Sequence, residues 1–184
     1  MALDKYTIQH KSVSNILSLI DMNKIAIPEI QRPFVWPSTK VRDLMDSLYK
    51  GYPVGYIITW QNPDIRLKDG TSSKGKTILI DGQQRVTALK AALDGRLIIN
   101  QKYEPERIII AFHPIKQQFE TSTPAIQKDK SWIPDIAEVM KPDFDPYEFI
   151  EKYANDNEGV DKSLINRRIK ELIDIKTRTV GELE

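Results

Sequence analysis

The sequence predicts an α+β fold with helices packed on a sheet, and two observations carry that expectation. Short apolar segments with strand character, Val54–Trp60 and Thr77–Ile80, are interleaved with amphipathic helical patterns rather than repeating in a strict strand–helix alternation. A chain of 184 residues with 40% hydrophobic and 29% charged residues is also large and apolar enough to bury one sizeable core.

The first helix is expected from Val13, Ile16, Leu17 and Ile20, with Ser12 as its cap. Ile25–Ile27 is pushed into an extended form by Pro28. The stretch Gln31-Arg32-Pro33-Phe34-Val35-Trp36-Pro37 holds too much proline for regular structure, and its aromatics are expected to tuck under the core. Val41, Leu44, Met45, Leu48 and Tyr49 repeat at helical spacing between a Ser38 cap and a Gly51 stop. Thr77–Ile80 reads as a central strand buried on both faces, running into Asp81-Gly82-Gln83-Gln84-Arg85. A helix follows through Val86, Leu89, Ala92 and Leu93 to Gly95. Strands are expected near Leu97–Asn100 and Arg107–Phe112, returning through Gln118–Glu120. A core of residues 1–125 and a mainly helical extension, 126–184, follow from the shift in pattern. Within the extension, Asp135–Met140, Tyr147–Tyr153 and Asp161–Ile175 are the helical candidates, and Leu183-Glu184 reads as a vector scar on a fragment of a longer protein.

Composition closes several routes to function. Without cysteine there is no disulfide, zinc-thiolate cluster or thiol catalysis. His10 and His113 alone give a multi-histidine nuclease or metal site little to build on. Lys plus Arg is 27 against 26 for Asp plus Glu, so overall charge does not drive binding to nucleic acid. No apolar run approaches a membrane span of about 20 residues, and the N-terminus lacks a signal-peptide core. The chain reads as soluble and cytoplasmic.

Two segments are candidates for phosphate binding. Gly70-Thr71-Ser72-Ser73-Lys74-Gly75-Lys76-Thr77 fits the P-loop pattern literally, but its Lys-Thr opens a strand, whereas the mechanism needs a helix there. The segment Asp81–Arg85 joins a strand to a helix. Asp81 is placed to cap that helix, Gly82 admits a ligand or another backbone, and first-turn amides favour an anion that Arg85 would also contact. The same residues equally describe an ordinary capped helix. Arg32 is either a second anion ligand or an arginine stacked on Phe34 or Trp36. His113 reads as a turn residue, and the basic residues from Arg167 to Arg178 read as a solvated helix face interleaved with acids.

Three segments read together resemble a known family: Ile27–Trp36 with its Gln-Arg pair, Ser47–Gly55 ending in Gly-Tyr-Pro-Val-Gly, and Ile80–Leu89 containing Asp-Gly-Gln-Gln-Arg. They are similar to the N-terminal domain of GmrSD-type restriction endonucleases over roughly residues 5–140. The resemblance implies a ParB/sulfiredoxin-like fold, a mixed sheet with packed helices, and nucleotide hydrolysis coupled to restriction of modified DNA in antiviral defence. It implies a nucleotide site at Asp81, Gly82, Gln83, Gln84 and Arg85 with Gln31 and Arg32, taking an NTP with Mg2+ and Asp81 as the metal contact. Asp81, Gln83, Gln84 and Arg85 would carry the catalysis. Relatives commonly add a C-terminal HNH-type nuclease domain that this chain does not contain, so DNA would be engaged through further sequence or a partner. The alternative is a ParB-like, nucleotide-switched DNA-binding module without significant hydrolysis.

Overall fold

The computed structural model describes residues 6–27, 33–61 and 75–184. Strand β1 (Ile8–Ser12) runs directly into helix α1 (Val13–Asp21), followed by β2 (Ile25–Ala26), α2 (Ser38–Tyr49), β3 (Tyr56–Gln61) and β4 (Thr77–Asp81). Helix α3 (Gln83–Leu93) leads to two ribbons, β5 (Ile98–Ile99) with β6 (Pro105–Glu106), and β7 (Ile110–His113) with β8 (Gln118–Thr121). The chain then builds α4 (Pro124–Lys128), α5 (Ile136–Val139), α6 (Pro146–Asp156), α7 (Lys162–Ile173), a 3-10 turn and β9 (Thr179–Leu183). The fold is α+β, as the sequence predicts. No helix among the described residues is long and apolar enough to cross a membrane.

The main sheet has the order β1-β9-β3-β4-β2. It is mixed: β9 pairs antiparallel with β1 and parallel with β3, and β4 pairs antiparallel with β3 and parallel with β2. The expected central position of Thr77–Ile80 is therefore corrected. β3 takes the centre because β9 arrives from the far end of the chain and fills the place between β1 and β3. Burial on both faces holds for Ile78 and Leu79, but Ile80 is 48% exposed. Pairing jumps from Thr59↔Leu79 to Ile58↔Asp81, so Ile80 is the extra residue of a bulge and leaves the ladder.

Ile57, Leu79 and Val180 join a cluster with Val13 and Ile16 of α1, Val41, Met45 and Leu48 of α2, and Val86 and Leu89 of α3. Strand alternation sends Tyr56, Ile58 and Trp60 to the other side, where they are exposed. The cluster runs from Val13 to Val180 and draws on residues from both sides of the expected 125/126 boundary.

Helix ends are set by local chemistry. Ser12 caps α1 as expected, its Oγ accepting from the Asn15 amide at 3.2 Å. Ser38 does not cap α2: Pro37 occupies that position and Ser38 is the first helical residue. The 126–184 region is helical through α4 to α7, but Thr179–Leu183 form β9 instead. There Glu182 is fully buried on the inner side. It is held by an ion pair with Lys11 and by the Thr59 hydroxyl, which donates to its Oε1 at 3.0 Å. Leu183 pairs with both Ile8 and Ile58, and the main chains of Thr7 and Glu184 exchange hydrogen bonds.

Candidate functional site

The site is built where β4 gives way to α3. Asp81 ends the strand opposite Ile58, and Gly82, at φ +95°, takes the cap position with no side-chain cap bond. Asp81 is thus exposed and is not the helix cap that the sequence predicts. The reason is geometric. Continued pairing with β3 keeps Asp81 in the strand, and the turn into the helix is made in one left-handed residue, which favours glycine. Gly82 is constrained a second time: a Cβ there would lie 2.7 Å from Ile57 Cγ2 and 3.2 Å from Ile57 Cα. Its close approach is to the backbone of β3.

The first intrahelical bond runs from the Val86 amide to the Gly82 carbonyl at 2.9 Å. The amides of Gln83, Gln84 and Arg85 precede it, so the helix offers them no acceptor, and they present partial positive charge at the turn.

Each side chain of the motif has a definite place. Gln84 is a two-point bracket: its Oε1 accepts from the Val35 amide at 2.8 Å and its Nε2 donates to the Pro33 carbonyl at 3.2 Å. This ties the proline-rich aromatic segment to the first turn of α3, at the residue that follows Arg32 in the chain. Phe34 is buried as expected, and its amide donates to the Ile99 carbonyl at 3.0 Å. Gln31 and Arg32 themselves lie outside the described residues. Gln83 reaches back from Nε2 to the Leu79 carbonyl at 3.4 Å.

Arg85 donates from Nη1 to the Tyr56 carbonyl at 2.7 Å, and its Nη2 is 3.1 Å from where a Cβ on Gly55 would stand. Burial pulls the Arg85 pKa down while Asp81 opposes the shift, but a guanidinium stays charged across the ordinary pH range. The result is a fixed, half-buried cation beside the turn, with no carboxylate among the described residues in direct contact.

Asp81 is the carboxylate of this motif, and among the described residues no three His, Cys, Asp or Glu side chains gather as a metal-binding group. That donor set fits a Mg2+ ion carried mainly by phosphate and water oxygens, with one protein carboxylate.

The other candidates resolve differently. Most of the P-loop-like segment, residues 70–74, lies outside the described residues, and Lys76-Thr77 leads into β4 rather than a helix. His113 ends β7 and is buried, with its ring edge-on to Trp132 at 5.1 Å and its Nδ1 accepting from the Lys116 amide. Arg168 binds Glu171 at 2.8 Å, and Lys176 donates to the Met140 carbonyl at 2.8 Å. Sequence reasoning missed the scaffold contacts made by Gly55, Tyr56, Ile57, Pro33 and Val35. The Gly-Tyr-Pro-Val-Gly segment was visible, and its second glycine signals the close approach that Arg85 makes.

Comparison with curated proteins gives no match. The family described as the GmrSD restriction endonuclease, N-terminal domain, matches residues 13–181, from the first residue of α1 into β9. That span takes in the main-sheet strands β2, β3 and β4, the Asp81–Arg85 turn and the helical region beyond, so the chain belongs to the GmrSD restriction endonuclease N-terminal domain family.

Proposed function

We propose that the chain is the NTP-binding and NTP-hydrolysing domain of a modification-dependent DNA restriction protein that acts in the cytoplasm. Its family ties it to restriction. The observation that carries the nucleotide reading is the Gln84 bracket, which joins two motif segments distant in sequence at one helix N-terminus. The amides of Gln83, Gln84 and Arg85, with Gly82 allowing the turn, receive the phosphates, and the Arg85 guanidinium adds a nearby positive charge. Gln31 and Arg32 are assigned to the same ligand, Arg32 stabilising charge that develops during phosphoryl transfer. Mg2+, with Asp81 as its protein contact, supplies neutralisation of the phosphate oxygens. In hydrolysis a water oxygen bonds to the γ-phosphorus as the bridging bond to the β-phosphate breaks, giving NDP and phosphate. Gln83 orients that water. DNA cleavage is assigned to further sequence or a partner, because His10 lies exposed on β1 while His113 is buried at the end of β7.

A second reading, a ParB-like switch that binds nucleotide and DNA without significant hydrolysis, is favoured by one feature. Both polar atoms of Gln84, Gln83 Nε2 and one edge of Arg85 are engaged by backbone groups, which leaves Gln83 Oε1 and Asp81 for chemistry.

The test is a thermal-shift panel of ATP, GTP and CTP with Mg2+, followed by phosphate-release kinetics. A nucleotide at about 100 times its Kd adds about 2.7 kcal/mol of stability. A shift with turnover supports the first reading, a shift without turnover the second, and no shift with any nucleotide removes both.

A further inference from the structure

A cleft of about 330 Å³ opens where the α2–β3 connection meets β1 and β9, with Gly55 in its lining. Two exposed rings line it, Tyr52 at 61% and Tyr56 at 50%. The Tyr56 ring is seated against β9 at Gly181: a Cβ there would be 2.4 Å from ring atoms Cδ1 and Cε1. Gly181 has no positive φ, so the space it leaves serves the ring and not the backbone. Arg178 also lines the cleft. Its Nη2 donates to the Tyr49 carbonyl at 3.2 Å, and its Nη1 lies 3.6 Å from where a Cβ on Gly51 would stand. The guanidinium is therefore held in place with donors to spare. Among the described lining residues there is no carboxylate. By contrast, the larger cleft near α5 contains Asp135, Glu138, Arg107 and Lys141, whose charges pair with one another.

Exposed aromatic rings beside a fixed guanidinium, with no opposing negative charge, match a ligand that has a flat π-face and a phosphate. We propose that this cleft binds a single nucleotide unit, its base against Tyr52 and Tyr56 and its phosphate on Arg178. The unit belongs either to a DNA strand or to a free nucleotide. Its lining includes none of Asp81–Arg85, and the proposal does not rest on nucleotide binding there.

The experiment is fluorescence anisotropy of a 5′-labelled ten-residue oligothymidylate with the full chain, with dTMP and thymidine as competitors. Tyr52→Ala, an exposed position that does not threaten folding, should weaken binding by about tenfold or more, since stacking on one ring carries that much. Tyr52→Phe should stay within about twofold, because the ring and not the hydroxyl is used. Gly181→Ala should weaken binding by displacing the Tyr56 ring. Arg178→Gln should reduce the slope of log Kd against log salt by somewhat less than one unit, a readout that a purely structural role would leave alone. Competition by dTMP but not thymidine identifies a free nucleotide as sufficient. Tyr52-dependent binding of the oligomer without competition by dTMP identifies the strand. Absence of binding of either probe at millimolar concentration, or oligomer binding unchanged in Tyr52→Ala, overturns the proposal. Binding lost in Arg85→Ala yet retained in Tyr52→Ala also overturns it. Oligothymidylate affinity should be the same in Asp81→Ala as in the parent, so the two sites fail or succeed separately.

Discussion

Gly82 shows how one residue can be specified twice, once by its backbone angle and once by its neighbour. Replacing it with alanine forces a Cβ into the left-handed region and against Ile57, so both costs fall on one substitution. Gly82→Ala should lower stability by about 2 kcal/mol or more, read as a reduced urea midpoint at unchanged slope. Asp81 and Arg85 behave in the opposite way to what the sequence alone implies. Asp81 is exposed and caps nothing, so Asp81→Ala should move stability by about 0.5 kcal/mol or less, with its effect confined to Mg2+-dependent nucleotide binding. Arg85 holds the Tyr56 carbonyl, so Arg85→Ala should cost about 1 kcal/mol of stability as well as weakening nucleotide binding about tenfold. Parallel denaturation and thermal-shift titrations of the two variants separate these expectations. Loss of stability in Arg85→Ala with undiminished affinity would make Arg85 purely structural.

His113 gives a pH signature at the same scale. Burial is the main reason its pKa is lowered, with the Lys116 charge adding to the effect and Asp129 opposing it. The unfolded chain therefore binds a proton more readily than the folded one. The stability this position contributes is complete above the ordinary histidine range and declines as pH falls from about 7 through about 6. A His113→Gln variant should show a shallower fall of the melting temperature over that interval; an unchanged slope would exclude His113 as its source.

At the scale of elements, the helices were legible and the connections between them were not. α2 and α7 bury one side each, and one-sided burial stamps a helical period on the sequence. β3 announced itself through β-branched and aromatic residues, and the strand-to-helix turn through its glycine. β9 gave no such signal because its inward position is Glu182, whose partners Lys11 and Thr59 lie on β1 and β3. A polar residue whose satisfaction comes from distant strands looks, in sequence, like a solvated one. The same holds for Gln84: its type suggested water or ligand contacts, and its partners are backbone groups about fifty residues earlier. Gln84→Ala should leave the Val35 amide and Pro33 carbonyl without their partner, costing about 1–3 kcal/mol. Hydrogen exchange should locate the effect, with protection lost at Val35 more than at residues of α6 or α7. Uniform loss across the chain would show that the bracket supports the whole core and not the segment it grips.

For the whole molecule, β9 joins β1 to the rest of the sheet. It is the sheet neighbour of β1 and the parallel partner of β3, so removing it unpairs all of β1 and the Tyr56–Ile58 edge of β3. It also carries Val180 into the core and leaves Lys11 facing an apolar interior without Glu182. A chain ended after Arg178 should lose its cooperative thermal transition while keeping much of its helical circular dichroism, because α1 to α7 precede the cut. A sharp transition within a few degrees of the parent would show that β1 and β3 find a substitute pairing.

The placement of β9 also sets the order of events when the chain is made. β3 cannot complete its pairing until residues 62 to 178 have been synthesised and β9 has left the ribosome. At about 5–20 residues per second this leaves the edge of β3 open for several seconds on every nascent chain, and β1 waits still longer. Contacts so distant in sequence are slow to close because the entropy of a long loop must be overcome before the pairing stabilises anything. Two unpaired edges during that interval are templates for pairing with a neighbouring chain. Yield from a crowded polysome should therefore respond to translation speed and to holdase chaperones more than to the final stability of the folded domain.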